Sequence, residues 1–236
     1  MKTKLVRLLA LALAAAPAAF AADVAAEARA ERPKLVQDFP EAFAPVTDDP
    51  KLPRVLLIGD SISIGYTPVV REALRGAANV HRIPDNGGPT TRGLALLDEW
   101  LGAGKWDVIH FNFGLHDIAR PNGTDVRTAP ADYEKNLRAL VARLKATGAK
   151  LVFATTTPVP NAKVGSGRLN TDVLVCNAIA LKIMPALGVT IDDLYAVAAP
   201  QLEKIQLPAN VHYTPDGYCV LATPVTAAIR AQLPKK

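Results

Sequence analysis

Apolar and polar positions follow two rhythms along the chain. Residues 54–58 (RVLLI) form a short continuous apolar run closed by glycine, the pattern of a strand covered on both faces. Residues 79–83, 106–113 (WDVIHFNF), 151–156 and 189–192 repeat it. Between these runs the spacing turns helical. Residues 91–101 place Leu94, Leu97 and Leu101 on one face, and residues 131–147 do the same with Leu137, Leu140, Val141 and Leu144 before Gly148 stops the helix. Further helices are predicted over 67–74, with Thr67 as N-cap and Pro68 at the first helical position, over 172–187, and from Thr214-Pro215 towards Gln232. Strands alternating with helices predict one α/β domain over residues 53–236, a parallel five-stranded sheet with helices on both faces. Function in such sheets sits beyond the carboxyl ends of the strands, so the residues just after each strand carry the interest.

The N-terminus has its own pattern. Lys2, Lys4 and Arg7 precede an apolar run over residues 8–16, then Pro17 and the small-residue stretch ending Ala19-Phe20-Ala21. This is the layout of a secretory signal peptide over residues 1–21, with cleavage after Ala21. The apolar core falls short of the ~20 residues of a spanning helix, so a periplasmic or secreted protein with no membrane span after cleavage is expected. Residues 22–52 are Ala-rich and then Pro- and Asp-rich without a sustained period, which predicts a tether followed by an extended arm.

Composition narrows the class. Of 236 residues, 50% are apolar and 21% charged, which excludes disorder, and two cysteines exclude a disulfide scaffold. The 27 basic and 22 acidic residues give +5, but three of the cations and none of the acids lie in the signal segment, so the mature chain carries +2. With aromatics at 6%, no electrostatic nucleic-acid footprint is expected. An oxidising compartment permits Cys176 and Cys219 to pair; two buried thiols are the other expectation.

The chain holds only three serines and four histidines, so few nucleophile and base combinations exist. After the first strand comes Gly59-Asp60-Ser61; after the second, Asn86-Gly87-Gly88-Pro89-Thr90-Thr91; after the third, Gly114-Leu115-His116-Asp117; and before the last helix, Val211-His212. Four loops at one end of one sheet thus offer a hydroxyl, a glycine turn with exposed N–H groups, a polar side-chain donor and an imidazole. Those are the parts of a serine acyl-transfer site. His81 and His110 lie within strands and outside any ligand-spaced cluster, and Trp100 and Trp106 at a helix-to-strand turn read as packing residues.

In these four blocks, in this order, the chain resembles the SGNH (GDSL-type) hydrolases from about residue 53 to residue 233. The resemblance implies a flavodoxin-like, doubly wound three-layer α/β/α fold and carboxylic-ester hydrolysis through an acyl-enzyme, without cofactor or metal. It makes Ser61 the nucleophile and His212 the general base. Gly88, with Gly87 as the close alternative, supplies the oxyanion-hole N–H beside that of Ser61 itself. Asp60, Asn86, Asp117 and Asn210 are candidate supporting residues. Two positions depart from the family. His116 stands where the third block usually has Asn, and an imidazole N–H can donate to an oxyanion. Ala209 stands where an Asp usually precedes the histidine. His212 is therefore expected to work as a Ser-His dyad, oriented by a backbone carbonyl or the Asn210 amide; a carboxylate from elsewhere, such as Asp216, is the other possibility.

Family and export together predict an esterase acting on a small acyl ester, acetyl groups on carbohydrate foremost. The alternatives are a lipid esterase, an acyltransferase using the same dyad, or a weakened module that binds glycan without turning it over.

Overall fold

The computed structural model describes residues 2–162 and 164–234, with side chains for residue 19 and from residue 21 onward. A five-stranded parallel sheet has the order β2-β1-β3-β4-β5, from β1 (Arg54–Ile58), β2 (Asn79–Arg82), β3 (Val108–Phe111), β4 (Lys150–Ala154) and β5 (Thr190–Asp192). All five predicted runs are strands. β1 and β3 are buried almost throughout, which is why their sequences are continuously apolar rather than alternating. The chain steps outward from β1 to β2 and then crosses back to β3 on the other side. A crevice therefore opens between the carboxyl ends of β1 and β3, as in flavodoxin-like sheets.

Two long helices precede the sheet or open from it: α1 (Lys2–Asp38) and, after the short α2 (Pro40–Phe43), α3 (Ser61–Ala73). Next come α4 (Thr90–Leu101), α5 (Pro130–Ala146), α6 (Asn170–Ala186), the short α7 (Leu194–Ala198) and α8 (Leu202–Ile205), and finally α9 (Pro215–Gln232). α3 packs with α9 on one layer; α4, α5 and α6 follow one another on the other. The core joins Tyr66 and Val70 of α3, Leu137, Leu140 and Leu144 of α5, and Val225 and Ile229 of α9 to the strands.

Four expectations change. The helix expected from Thr67 begins at Ser61 instead. Asp60 caps it, accepting from the Ile62 N–H at 2.9 Å, while Thr67 is interior and donates its hydroxyl to the Ser63 carbonyl at 2.7 Å. Pro68 therefore lies inside the helix rather than at its first position, and leaves the Ile64 carbonyl without its intrahelical donor. On α4 the buried face is Gly93, Leu96, Leu97 and Trp100, with Leu94 and Leu101 only half-buried.

The third correction concerns residues 22–52. Their first part is not a tether but the second half of α1, which continues to Asp38; only the stretch between α2 and β1 is extended. Ala, Glu and Arg are strong helix formers, and the small buried Ala28 lets the helix lie on α4. The expected signal peptide falls on residues whose side chains, apart from Ala19 and Ala21, lie outside the described residues.

Cys176 and Cys219 are both free. Cys176 is buried in α6 and Cys219 is exposed on α9, so they neither pair nor form two buried thiols. Among the described residues one helical stretch, Gly165–Ala186, is long and apolar enough to cross a membrane by length and composition. Its Val173, Ala180, Ile183 and Met184 pack into the core.

Candidate active site

Ser61 is the first residue of α3, directly after β1, where the helix leaves its leading N–H groups without intrahelical acceptors. His212 arrives from the other end of the chain, and its Nε2 lies 2.9 Å from Ser61 Oγ. The loop that delivers it is tightly laced. The Leu207 N–H donates to the His212 carbonyl at 2.9 Å, Gln206 pairs with Tyr213 in an antiparallel bridge, and the buried Gln206 side chain donates to the Val211 and Pro158 carbonyls. Thr214 then caps α9 by accepting from the Gly217 N–H. Gln206 carries no sequence signal; its role exists only in this fold.

Asn210 settles how the imidazole is held. Its Oδ1 is 2.8 Å from His212 Nδ1 and also accepts the backbone N–H of His212 at 3.0 Å. A backbone N–H can only donate, so the atom shared by both contacts is the amide oxygen. Nδ1 therefore carries the proton, and Nε2 presents a lone pair to the serine hydroxyl. Ala209, the position where the family places Asp, has φ +49. A non-glycine residue in that region costs about 1–2 kcal/mol, and the tight turn it makes leads directly into Asn210. Asp216 is exposed in the first turn of α9 and takes no part.

The second block crosses over the first. The Gly87 N–H donates to the Gly59 carbonyl at 2.9 Å, and a Cβ on Gly87 would stand 2.9 Å from Gly59 backbone atoms, so this residue is a close-packed clamp. Gly88, at φ +63, donates its N–H to Asn86 Oδ1 at 3.2 Å. Of the two glycines, Gly88 is the one whose N–H is held by a movable side chain. Beneath them buried Arg82, with no ion pair among the described residues, donates to the Gly59, Ile83 and Asp85 carbonyls and binds the ends of β1 and β2 together. Burial pulls its pKa down to about 9. Nothing in the sequence pattern marked Arg82 as part of the site.

His116 follows β3, half-buried, with neither ring nitrogen bonded to a protein group among the described residues. Burial lowers its pKa below the ordinary histidine value; Asp60 opposes this and Arg168, Arg127 and Arg92 reinforce it. The ring is therefore neutral at pH 7 and has one N–H to donate. Its neighbour Asp117 is fully buried and does not touch it. It accepts the Thr90 hydroxyl at 2.6 Å and the Thr90 N–H at 3.1 Å, joining the third block to the start of α4. Burial raises the Asp117 pKa to about 6 against the pull of those bonds. For His212, burial is again the largest influence and lowers the pKa; Asp60 raises it and Arg168 lowers it further.

All four blocks thus meet at the crevice between β1 and β3. Residues 57–220 match the model of the GDSL-like lipase/acylhydrolase family. The chain belongs to that family. Within it this GDSL-like protein is a carboxylic ester hydrolase, and its three-layer fold is shared with solved relatives. A lipase/acylhydrolase from Enterococcus faecalis superposes with a TM-score of 0.66 at 19% identity, over 78% of this chain and 98% of that one. An acetyl xylan esterase gives 0.65 at 16% identity, over 75% and 99%. An acetylxylan esterase from Geobacillus stearothermophilus gives 0.61 at 17%, over 75% and 94%. No curated protein sequence matches the chain significantly.

The other sequence candidates lie away from this hydrolase site. His81 meets Asp48 at 2.6 Å, and His110 meets Asp192 at 2.9 Å in the core. Trp100 and Trp106 are buried, donating to Asp85 and to the Leu101 carbonyl. Among the described residues no group of three or more His, Cys, Asp or Glu is placed to hold a metal ion.

Proposed function

We infer that this protein is an exported serine esterase that removes small acyl groups, acetyl foremost, from carbohydrate. The observation that carries the reading is the relay Ser61 Oγ to His212 Nε2 at 2.9 Å and His212 Nδ1 to Asn210 Oδ1 at 2.8 Å. His212 takes the hydroxyl proton as Ser61 attacks the ester carbonyl. The tetrahedral oxyanion is held by the Ser61 N–H, the His116 N–H and the Gly88 N–H, the last turning from Asn86 Oδ1 to the substrate. The imidazolium then protonates the leaving alcohol, and water, deprotonated by the same nitrogen, releases the acid from Ser61. Asn210 supplies an oriented dipole but no charge, so the imidazolium is stabilised less than beside a carboxylate.

The acetyl and carbohydrate preference is supported by the two acetylxylan esterases of similar fold, and export by the basic and apolar pattern of residues 1–21. The test is hydrolysis of p-nitrophenyl acetate and butyrate and of acetylated xylo-oligosaccharides by wild type, Ser61→Ala and His212→Ala. Both variants are expected to lose on the order of 10⁴-fold or more in kcat. Wild type no faster than both variants on every substrate overturns the reading, and faster turnover with longer acyl chains replaces acetyl by lipid.

A further inference from the structure

Among the described residues, two guanidinium groups beside the His116 loop form no ion pair with a carboxylate. Three arginines bear on His116: Arg92, Arg127 and Arg168. Arg92 is neutralised by α1, through Glu31 at 2.9 Å and Glu27 at 3.3 Å. The other two form no ion pair among the described residues. Half-buried Arg168 donates from Nε to the Leu115 carbonyl, the residue before His116, at 2.7 Å and from Nη1 to the Gly165 carbonyl at 3.3 Å. These bonds hold the side chain against the His116 loop and leave Nη2 free among the described groups. Arg127 is exposed beside the same loop, where the Arg127 and Thr128 N–H groups donate to the Ala119 and Asp117 carbonyls.

The chain spends backbone strain to put Arg168 there. Ser166, at φ +63, and Gly167, at φ +59, are consecutive left-handed residues just before it, and the Arg120 N–H fastens the turn by donating to the Ser166 carbonyl at 2.7 Å. Arg120 makes an instructive contrast. It lies next to the same turn but is paired with Asp172 at 2.6 Å. Of the carboxylates near the crevice, Asp60 caps α3 and acts on Arg168 by its charge without forming an ion pair with it, and Asp117 holds Thr90.

We propose that Arg168 and Arg127 form an anion subsite beside the oxyanion hole, and that the substrate is an acyl ester of a carboxylate-bearing sugar, a uronic-acid-containing glycan. The subsite rests on the esterase reading and names its substrate class. Guanidinium N–H groups make charge-assisted hydrogen bonds to a carboxylate, one from the free Arg168 Nη2 and others from exposed Arg127. A neutral glycan leaves both groups to water.

The test compares acetylated xylo-oligosaccharides with and without a glucuronic acid branch, with p-nitrophenyl acetate as a neutral reference. Wild type is expected to favour the acidic oligosaccharide about tenfold or more in kcat/KM, chiefly through KM, and to lose that preference in high salt. Arg168→Gln and Arg127→Gln should each reduce the ratio of acidic to neutral kcat/KM, with Arg168→Lys restoring part of it. Equal rates on both oligosaccharides, or a ratio unchanged in both Gln variants, overturns the subsite while leaving the esterase intact. An absence of turnover on every ester is the different failure, that of the esterase reading. Should Arg168→Gln not fold, exposed Arg127 and the wild-type ratio still decide the matter.

Discussion

Asn210 is the residue on which the chemistry of this hydrolase turns. It fixes the His212 tautomer without contributing charge, so its removal and its conversion to a carboxylate act in opposite directions. Asn210→Ala is expected to lower kcat on p-nitrophenyl acetate about tenfold or more, because the imidazole loses its orienting acceptor. Asn210→Asp should raise kcat and, by placing an anion on the imidazolium, raise the His212 pKa. The acid limb of the kcat/KM profile then moves to higher pH. In wild type that limb lies below the ordinary histidine value, since burial lowers the His212 pKa and only the neutral imidazole can accept the serine proton. Activity therefore persists into mildly acidic buffer, and a limb centred above pH 6.5 would contradict the desolvation argument. His116 gives a second contrast. His116→Asn keeps a side-chain N–H at the oxyanion and should stay within about tenfold in kcat, whereas His116→Ala should lose on the order of 10²-fold.

At the scale of elements, α1 is the least expected part of the molecule. Arg32 forms two bonds to buried Asp85, at 2.7 and 2.9 Å, and a third to Glu99, while Glu31 and Glu27 hold Arg92. Asp85 and Arg92 flank the Asn86 to Gly88 turn, so α1 is tied to both sides of that turn through ion pairs. Arg32→Ala leaves Asp85 buried with only the Trp100 N–H as a side-chain donor. A loss of about 2–4 kcal/mol in urea unfolding is expected, below the ~3–5 kcal/mol for one side of a fully buried pair because Arg32 is partly exposed. The reason this helix was read as a tether is physical. Its contact face is small, with Ala28 as its fully buried residue, so it gives no hydrophobic period, and its stability comes from charges whose partners lie more than fifty residues away. The strands and the helices α4, α5, α6 and α9 were legible because each buries a face of large apolar side chains. α3 was legible only in its second half, since Ser61, Ser63 and Gly65 conceal a helical start that the Asp60 cap makes.

For the whole molecule, Asp117 links stability to pH. Its pKa of about 6 in the fold stands above the unfolded value of 3.8, so the folded state prefers the proton more than the unfolded chain does. That contribution is fully present below pH 4 and is lost as pH rises to about 6, amounting to about 2–4 kcal/mol. Asp117→Asn keeps an acceptor for Thr90 and removes the titration. The stability difference between wild type and this variant, followed by urea unfolding across pH 4 to 7, should therefore shift in favour of the variant as pH rises. A difference that does not change with pH would place the charge elsewhere.

The order of four short motifs and the spacing of apolar residues determined the sheet, its helices and the pairing of Ser61 with His212. Those properties are local, or follow from where parallel strands must end. Only the tertiary structure decided what orients His212, which of Gly87 and Gly88 has a movable N–H, and that Asp117 serves Thr90 rather than His116. It also decided that α1 is docked and that Arg127 and Arg168, beside the His116 loop, form no ion pair among the described residues. Each of these depends on which groups meet across long stretches of chain, and a side chain's partner in space leaves no period in the sequence.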